Sequence, residues 1–355
     1  MPDILREPVT EPSAWKSAQF EANESFIEFL TPDEIEEIGQ AVRYVRENGL
    51  KTFAFERNDF PAPAFAERLA RASYEVEHGR GFVILRGMPM DRYDQDDIYA
   101  ITWAIGKMIG EPLSQNARGD LIGAVTDVGS DYENDMNARG YLSRADLPWH
   151  CDYADCSVLV CVRPAKTGGG LLISSSMTVY NTILEEHPEY IDILSKGFPW
   201  DLRGEGVTGT LEEVTDHDIP VYSYYEGRLS CSFNGRRIKS ARPKIGTEFT
   251  DIELAAVESI YEIASRAENK ICLAIQAGDI QLMNNHMIFH ARDKYEDHSD
   301  PALKRLQLRL WINLENGRAL APEFIDRYNT GPRMGVTASK AGQKLQEQTL
   351  KLDHV

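Results

Sequence analysis

The chain has 355 residues, 42% hydrophobic and 26% charged. That balance is globular and excludes collagen-like, mucin-like and largely disordered chains. Its 56 acidic residues outnumber 38 basic ones for a formal net charge of −18, and its basic stretches are as short as Arg236-Arg237. Such a chain repels nucleic-acid phosphate and anionic lipid, so neither is an expected partner.

The N-terminal stretch MPDILREPVTEPSAWK has no signal-peptide character, and no apolar run approaches the ~20 residues that span a bilayer. The expectation is a cytoplasmic protein; a homo-oligomer is compatible with the sequence. Residues 1–30 are polar and carry prolines, as an arm packed on a body would. Thr31 then opens a helix, with Pro32 at its first position, Glu34 closing a capping box, Ile35, Ile38, Val42 and Val45 at helical spacing, and Gly49 ending it. A second helix is predicted over Pro63–His78. GFVILRGM (81–88) reads as a buried strand, and Asp94–Ile109 as an amphipathic helix stopped by Gly110.

Beyond residue 110 short strands dominate: LIGAVTDVG, CSVLVCVR, GLLISSS, VYSYYEGRLSCSF, KICLAIQ, DIQLMNN and LQLRLWINL. Helices near 178–196 and 250–268 interrupt them. Glu226-Gly227 and Asn234-Gly235 are predicted hairpin turns. The fold class is mainly β with flanking helices, of sandwich or barrel type. We expect one structural domain: a helical flank over 1–79, a β core over 80–320, and a surface helix and tail over 321–355. The five cysteines (Cys151, Cys156, Cys161, Cys231 and Cys272) fit reduced thiols, and their spacing is not that of a zinc site. TGGG (167–170) lacks the Lys-Ser/Thr of a phosphate loop and reads as a tight turn.

Eight histidines offer two notable contexts. His150 and Asp152 form an H-x-D pair in WHCDYAD; on a strand such residues share a face. His290 lies in GDIQLMNNHMIFHARDKYED, with His286 four residues earlier and also eligible by spacing. Two histidines and a carboxylate on one face of Fe(II) leave positions for O2 and a 2-oxo acid. Such an acid needs a cation at its far end, and Arg305 and Arg309 supply two on one strand face. Taken singly, these residues fit plainer roles: a surface turn, a strand-end histidine, and ion pairs on an acidic protein.

Together, WHCDYAD, AKTGGGLLISSS, AGDIQLMNNHMIFHARDKYED and KRLQLRLWI resemble the TauD/TfdA family of Fe(II)- and 2-oxoglutarate-dependent oxygenases, over roughly residues 80–315. The resemblance implies a double-stranded β-helix, a jelly-roll core with iron at one open end. It implies that His150, Asp152 and His290 are the iron ligands, in preference to His286, and that Arg305 holds the distal carboxylate of 2-oxoglutarate. Arg309 matches a position that in some relatives meets an acidic substrate group and in others supports the cosubstrate. Gln115 and Asn116, in PLSQN, fall where relatives often line the substrate pocket. Leu171 departs from the family, since several relatives place a threonine there; Ser174, Ser175 and Ser176 are the nearby hydroxyls. The implied activity is oxidation, chiefly hydroxylation, of a C–H bond in a small organic substrate, with 2-oxoglutarate converted to succinate and CO2. Rival readings are a desaturating or cyclising oxygenase of natural-product biosynthesis, a zinc hydrolase, and a non-catalytic jelly-roll binding protein.

Overall fold

The computed structural model describes residues 3–20 and 24–344. Helix Pro32–Glu47 begins as its sequence dictates: the Glu34 N–H donates to Thr31 Oγ1 at 3.2 Å, and Glu34 Oε2 accepts from the Thr31 N–H at 2.8 Å. Helices Pro63–His78 and Gln95–Ile109 follow as expected. All three bury apolar stripes in one cluster with the outer face of a large sheet.

That sheet runs, in spatial order, Ile27–Phe29, Phe82–Arg86, Ile280–Asn284, Cys156–Arg163, Leu306–Leu314 and Gly110–Leu113, with Ile122–Val125 also pairing with Leu306–Leu314. Side chains alternate across it with period two. Val158, Val160, Val162, Ile280, Leu282, Leu308, Leu310 and Ile312 face the helices. Leu159, Gln281, Met283, Gln307 and Arg309 point the other way, into a cavity. Each buried aliphatic side chain contributes about 1.5–3 kcal/mol, so a one-residue slip would lose that packing and turn the polar set into the core.

A smaller sheet, Lys270–Leu273, Leu171–Ser175, Ile288–Arg292 and Leu147–His150, lies across the same cavity. Helices Ser176–Glu186, Tyr190–Lys196 and Asp251–Ser265 pack in the cluster behind it. The single helix expected near 178–196 is two, because Pro188 cannot continue a helix and the chain breaks at His187-Pro188. Glu226-Gly227 does form a hairpin turn, joining Tyr222–Tyr225 to Arg228–Cys231. Asn234-Gly235 does not: Asn234 Oδ1 accepts from the Arg237 N–H at 3.1 Å and caps helix Gly235–Lys244. Asparagine favours N-caps as much as turns.

The N-terminal arm is anchored by buried Trp15, whose Nε1 donates to the Arg80 carbonyl at 2.9 Å. Within the C-terminal segment Phe324, Tyr328 and Val336 are buried rather than at the surface; the expected tail beyond residue 344 lies outside the described residues. Four cysteines are buried free thiols and Cys272 is exposed. Among the described residues no helix is long and apolar enough to cross a membrane.

Gly278 closes the turn before strand Ile280–Asn284, with φ +87° and the Met88 carbonyl oxygen 2.0 Å from where a Cβ would sit. Gly278→Ala should therefore cost at least about 2 kcal/mol. The readout is the urea unfolding midpoint, which should fall; an unchanged midpoint would mean the turn relaxes freely.

Candidate metal centre and its two cavities

His150 ends strand Leu147–His150, and His290 is its register partner on Ile288–Arg292. Their ring centroids are 4.3 Å apart. Asp152 lies two residues past the strand end, so strand alternation does not place it. Asn285 Oδ1 accepts its N–H at 3.1 Å, and Ser157 Oγ donates to its Oδ2 at 2.6 Å. One ligand atom from each of His150, Asp152 and His290 lies within 4.8 Å of the others; His290 Nε2 is 3.9 Å from Asp152 Oδ2. His286 is not among them. Its Nε2 pairs with Asp155 Oδ1 at 3.0 Å, and Arg327 approaches its Nδ1 at 3.4 Å.

The donor set fits a divalent cation. The Pro148 carbonyl, 2.8 Å from His150 Nδ1, can only accept, so the ring proton sits there and Nε2 keeps its lone pair. His290 Nδ1 is buried with no hydrogen-bond partner. Burial, reinforced by His150, lowers the His290 pKa to about 3; burial also lowers that of His150. Burial alone would raise the Asp152 pKa, but Arg309 and the two imidazoles outweigh it and hold the carboxyl well below its usual range. At neutral pH the cluster is thus two neutral imidazoles and one carboxylate, the combination suited to a facial Fe(II) site.

Two cavities meet at the cluster. The one between the sheets, about 520 Å³, is lined by Leu171, Met283, His290, Arg292 and Arg305 among others. Arg305 is buried, packs over the Tyr295 ring at 5.2 Å and donates to the Val125 carbonyl at 3.4 Å. No carboxylate pairs with it among the described residues. Arg292, which the sequence reading did not single out, shares this wall because it lies two positions after His290. Its NH2 donates to the carbonyls of Ser143 and Ala145 at 2.8 and 2.6 Å, while its Nε and NH1 have no partner. Burial, then the neighbouring Arg305, lowers its pKa to about 10. Leu171 lines this cavity and brings no hydroxyl; Ser174, Ser175 and Ser176 do not line it. The amides of Gln281 and Gln307, paired at 3.3 Å, also face this cavity.

The second cavity, about 610 Å³, opens from the same His150 and Asp152 and is lined by Gln115, Tyr141, Tyr153, Arg203, Arg237, Arg309 and others. Arg309 is already engaged: Nε donates to Gln115 Oε1 at 2.8 Å, and NH1 reaches Asp152 Oδ1 at 3.2 Å and Oδ2 at 3.4 Å. Its guanidinium lies between the rings of Tyr141 and Trp311, at 4.9 and 4.8 Å. Gln115 therefore orients Arg309, and its Nε2 also donates to the Arg309 carbonyl at 2.7 Å. Asn116 lines neither cavity. Its amide closes its own loop, with Nδ2 donating to Asp120 Oδ2 at 2.9 Å and Oδ1 accepting the Arg118 N–H at 2.9 Å.

The profile of the taurine catabolism dioxygenase TauD, TfdA family matches residues 44–311. FR-33289 synthase of Streptomyces rubellomurinus is 34% identical over 321 residues, covering 90% of this chain and 94% of that protein. The taurine hydroxylase-like protein SAT17 of Stachybotrys chartarum is 27% identical over 313 residues, covering 84% and 77%. Among solved structures, asparagine oxygenase with Fe(II), hydroxyasparagine and succinate aligns with TM-score 0.63 at 14% identity, covering 81% of this chain and 93% of that one. The non-haem iron oxygenase OrfP with Fe and alpha-ketoglutaric acid aligns with TM-score 0.59 at 13% identity, covering 81% and 94%. At those identities the structures speak for the double-stranded β-helix fold, and the profile match makes the chain a member of the TauD/TfdA family of Fe(II)- and 2-oxoglutarate-dependent oxygenases.

Proposed function

We propose that the protein oxidises, chiefly by hydroxylation, a C–H bond of a small organic substrate, with Fe(II) held by His150, Asp152 and His290. The observation that carries this reading is the meeting of two cavities at that cluster, one of them ending at a buried arginine with no carboxylate partner among the described residues. Fe(II) bound there supplies activation of O2, coupled to conversion of 2-oxoglutarate to succinate and CO2.

The protein's own groups do the rest. Arg305 takes the distal carboxylate of 2-oxoglutarate through its fork, with Arg292 adding positive charge beside it. Leu159, Leu171 and Met283 keep that end dry, which strengthens the pairing. Arg309 offsets the Asp152 charge and, fixed by Gln115, walls the substrate side. Pro148 sets the His150 tautomer. The second cavity, lined by His150 and Asp152 together with Tyr153 and Arg203, receives the substrate.

His290→Ala should abolish Fe(II) binding and Fe(II)-dependent succinate formation, because it removes one of three ligands. His286→Ala should leave Fe(II) binding in place while lowering stability; the reverse pattern, read by metal titration, would reassign the ligand.

Arg305→Ala should raise the 2-oxoglutarate KM by roughly 30- to several-thousand-fold, as a buried carboxylate loses a charged partner worth ~2–5 kcal/mol. Arg309→Ala should move it far less. A large increase confined to the Arg309 variant would make Arg309 the anchor.

The metal-free protein should also weaken in mild acid. The His290 and His286 pKa values lie at about 3 and 4 when folded, against ~6.5 unfolded. Between those limits the unfolded chain binds protons that the folded chain refuses, so stability is full above pH ~6.5 and falls as the pH drops toward 4. A lower urea midpoint at pH 5 than at pH 7 is expected.

A further inference from the structure

The second cavity carries positive charge that its own walls do not balance. Besides the Arg309–Asp152 pair, whose charges cancel, Arg139, Arg203 and Arg237 line it with one carboxylate, Glu205. Two of these arginines are engaged. Arg139 Nε donates to Glu205 Oε1 at 3.0 Å, and its NH2 to the Arg203 carbonyl at 2.8 Å. Arg237 pairs with the other Glu205 oxygen and lies over the Tyr153 ring at 4.7 Å.

Arg203 is not engaged. Only 8% of the residue is exposed, its Nε has no hydrogen-bond partner, and no carboxylate pairs with it among the described residues. A buried guanidinium without a counter-ion is costly. Burial, then Arg237 and Arg139, lowers its pKa to about 10, so it stays protonated at neutral pH. Its backbone is at φ 47°, a conformation L residues rarely adopt, and Asp201 Oδ1 holds it by accepting its N–H at 2.9 Å. Two more donors on this wall, Arg237 Nε and the Tyr153 hydroxyl, are buried without partners.

We propose that this cavity receives a substrate bearing an oxyanion and that Arg203 binds it, with Arg237 Nε and the Tyr153 hydroxyl completing the seat. This rests on the oxygenase reading, since the same cavity opens onto His150 and Asp152. Arg309 is not the reader of that anion, because it already spans Asp152 and Gln115. Three guanidiniums against one carboxylate leave two positive charges. A phosphonate dianion balances them, whereas a sulfonate or carboxylate leaves one over.

The test is calorimetry on anaerobic Fe(II) protein saturated with 2-oxoglutarate, using propylphosphonate, propanesulfonate, butyrate and propylamine as probes. The acids should bind, propylphosphonate tightest, and the amine should not. Arg203→Ala should weaken propylphosphonate binding by about 10- to 150-fold, the loss expected for a buried charged hydrogen-bonding partner, and Arg203→Lys should recover part of it. Equal binding of acid and amine by the parent protein, or an Arg203→Ala protein that binds propylphosphonate as tightly as the parent, overturns the inference. Should Arg203→Ala fail to fold, the parent's preference between acid and amine decides. A parent protein that takes up no 2-oxoglutarate in the preceding step overturns the oxygenase reading instead, so the two failures are distinct.

Discussion

Two histidines far apart in the chain occupy one rung of an antiparallel ladder, and the site's geometry follows from that pairing. His150 and His290 face each other because Leu147–His150 and Ile288–Arg292 pair in one register. A shift of one residue would turn one ring away. The register is held from behind by the apolar cluster under the smaller sheet. From the other side, Asn285 and Ser157 bring Asp152 to the rings although it lies beyond the strand.

The same period of two divides the cations. Gln307, Arg309 and Trp311 stand on the cavity face of Leu306–Leu314, while Leu308, Leu310 and Ile312 pack on the helices. Arg305, just before that strand, joins the cavity side. Arg305 and Arg309 are chemically alike and four residues apart, yet differ in company. One is buried without a carboxylate; the other bridges a carboxylate and an amide between two aromatic rings. Partner, rather than residue type, is what separates the two.

This explains what the sequence could reveal. H-x-D marks its residues, but Asn285 and Ser157, not the strand, bring Asp152 to the rings. HAR and R-x-x-x-R are short-range patterns that strand geometry converts into shared faces. Arg292 was within reach by the same rule, since it follows His290 by two. Arg139, Arg203 and Arg237 were not: a loop, a left-handed turn and the first turn of a helix bring them together, and no spacing encodes that. That helix itself was hidden because Asn234-Gly235 serves equally as a turn or a cap. Asn116 fell to local bonding, since an asparagine in a tight loop satisfies its own backbone before it reaches a cavity.

The contrast between the protein's exterior and interior has a kinetic consequence. The chain carries −18 overall, yet Arg203, Arg237, Arg292, Arg305 and Arg309 are buried around its cavities. An approaching dianion such as 2-oxoglutarate meets repulsion at long range and attraction only at the mouth. Added salt shortens the Debye length to about 10 Å at 0.1 M, which screens the outer field more than the enclosed one. Anion entry should therefore speed up as ionic strength rises from very low values, opposite to the slowing seen where long-range attraction steers association.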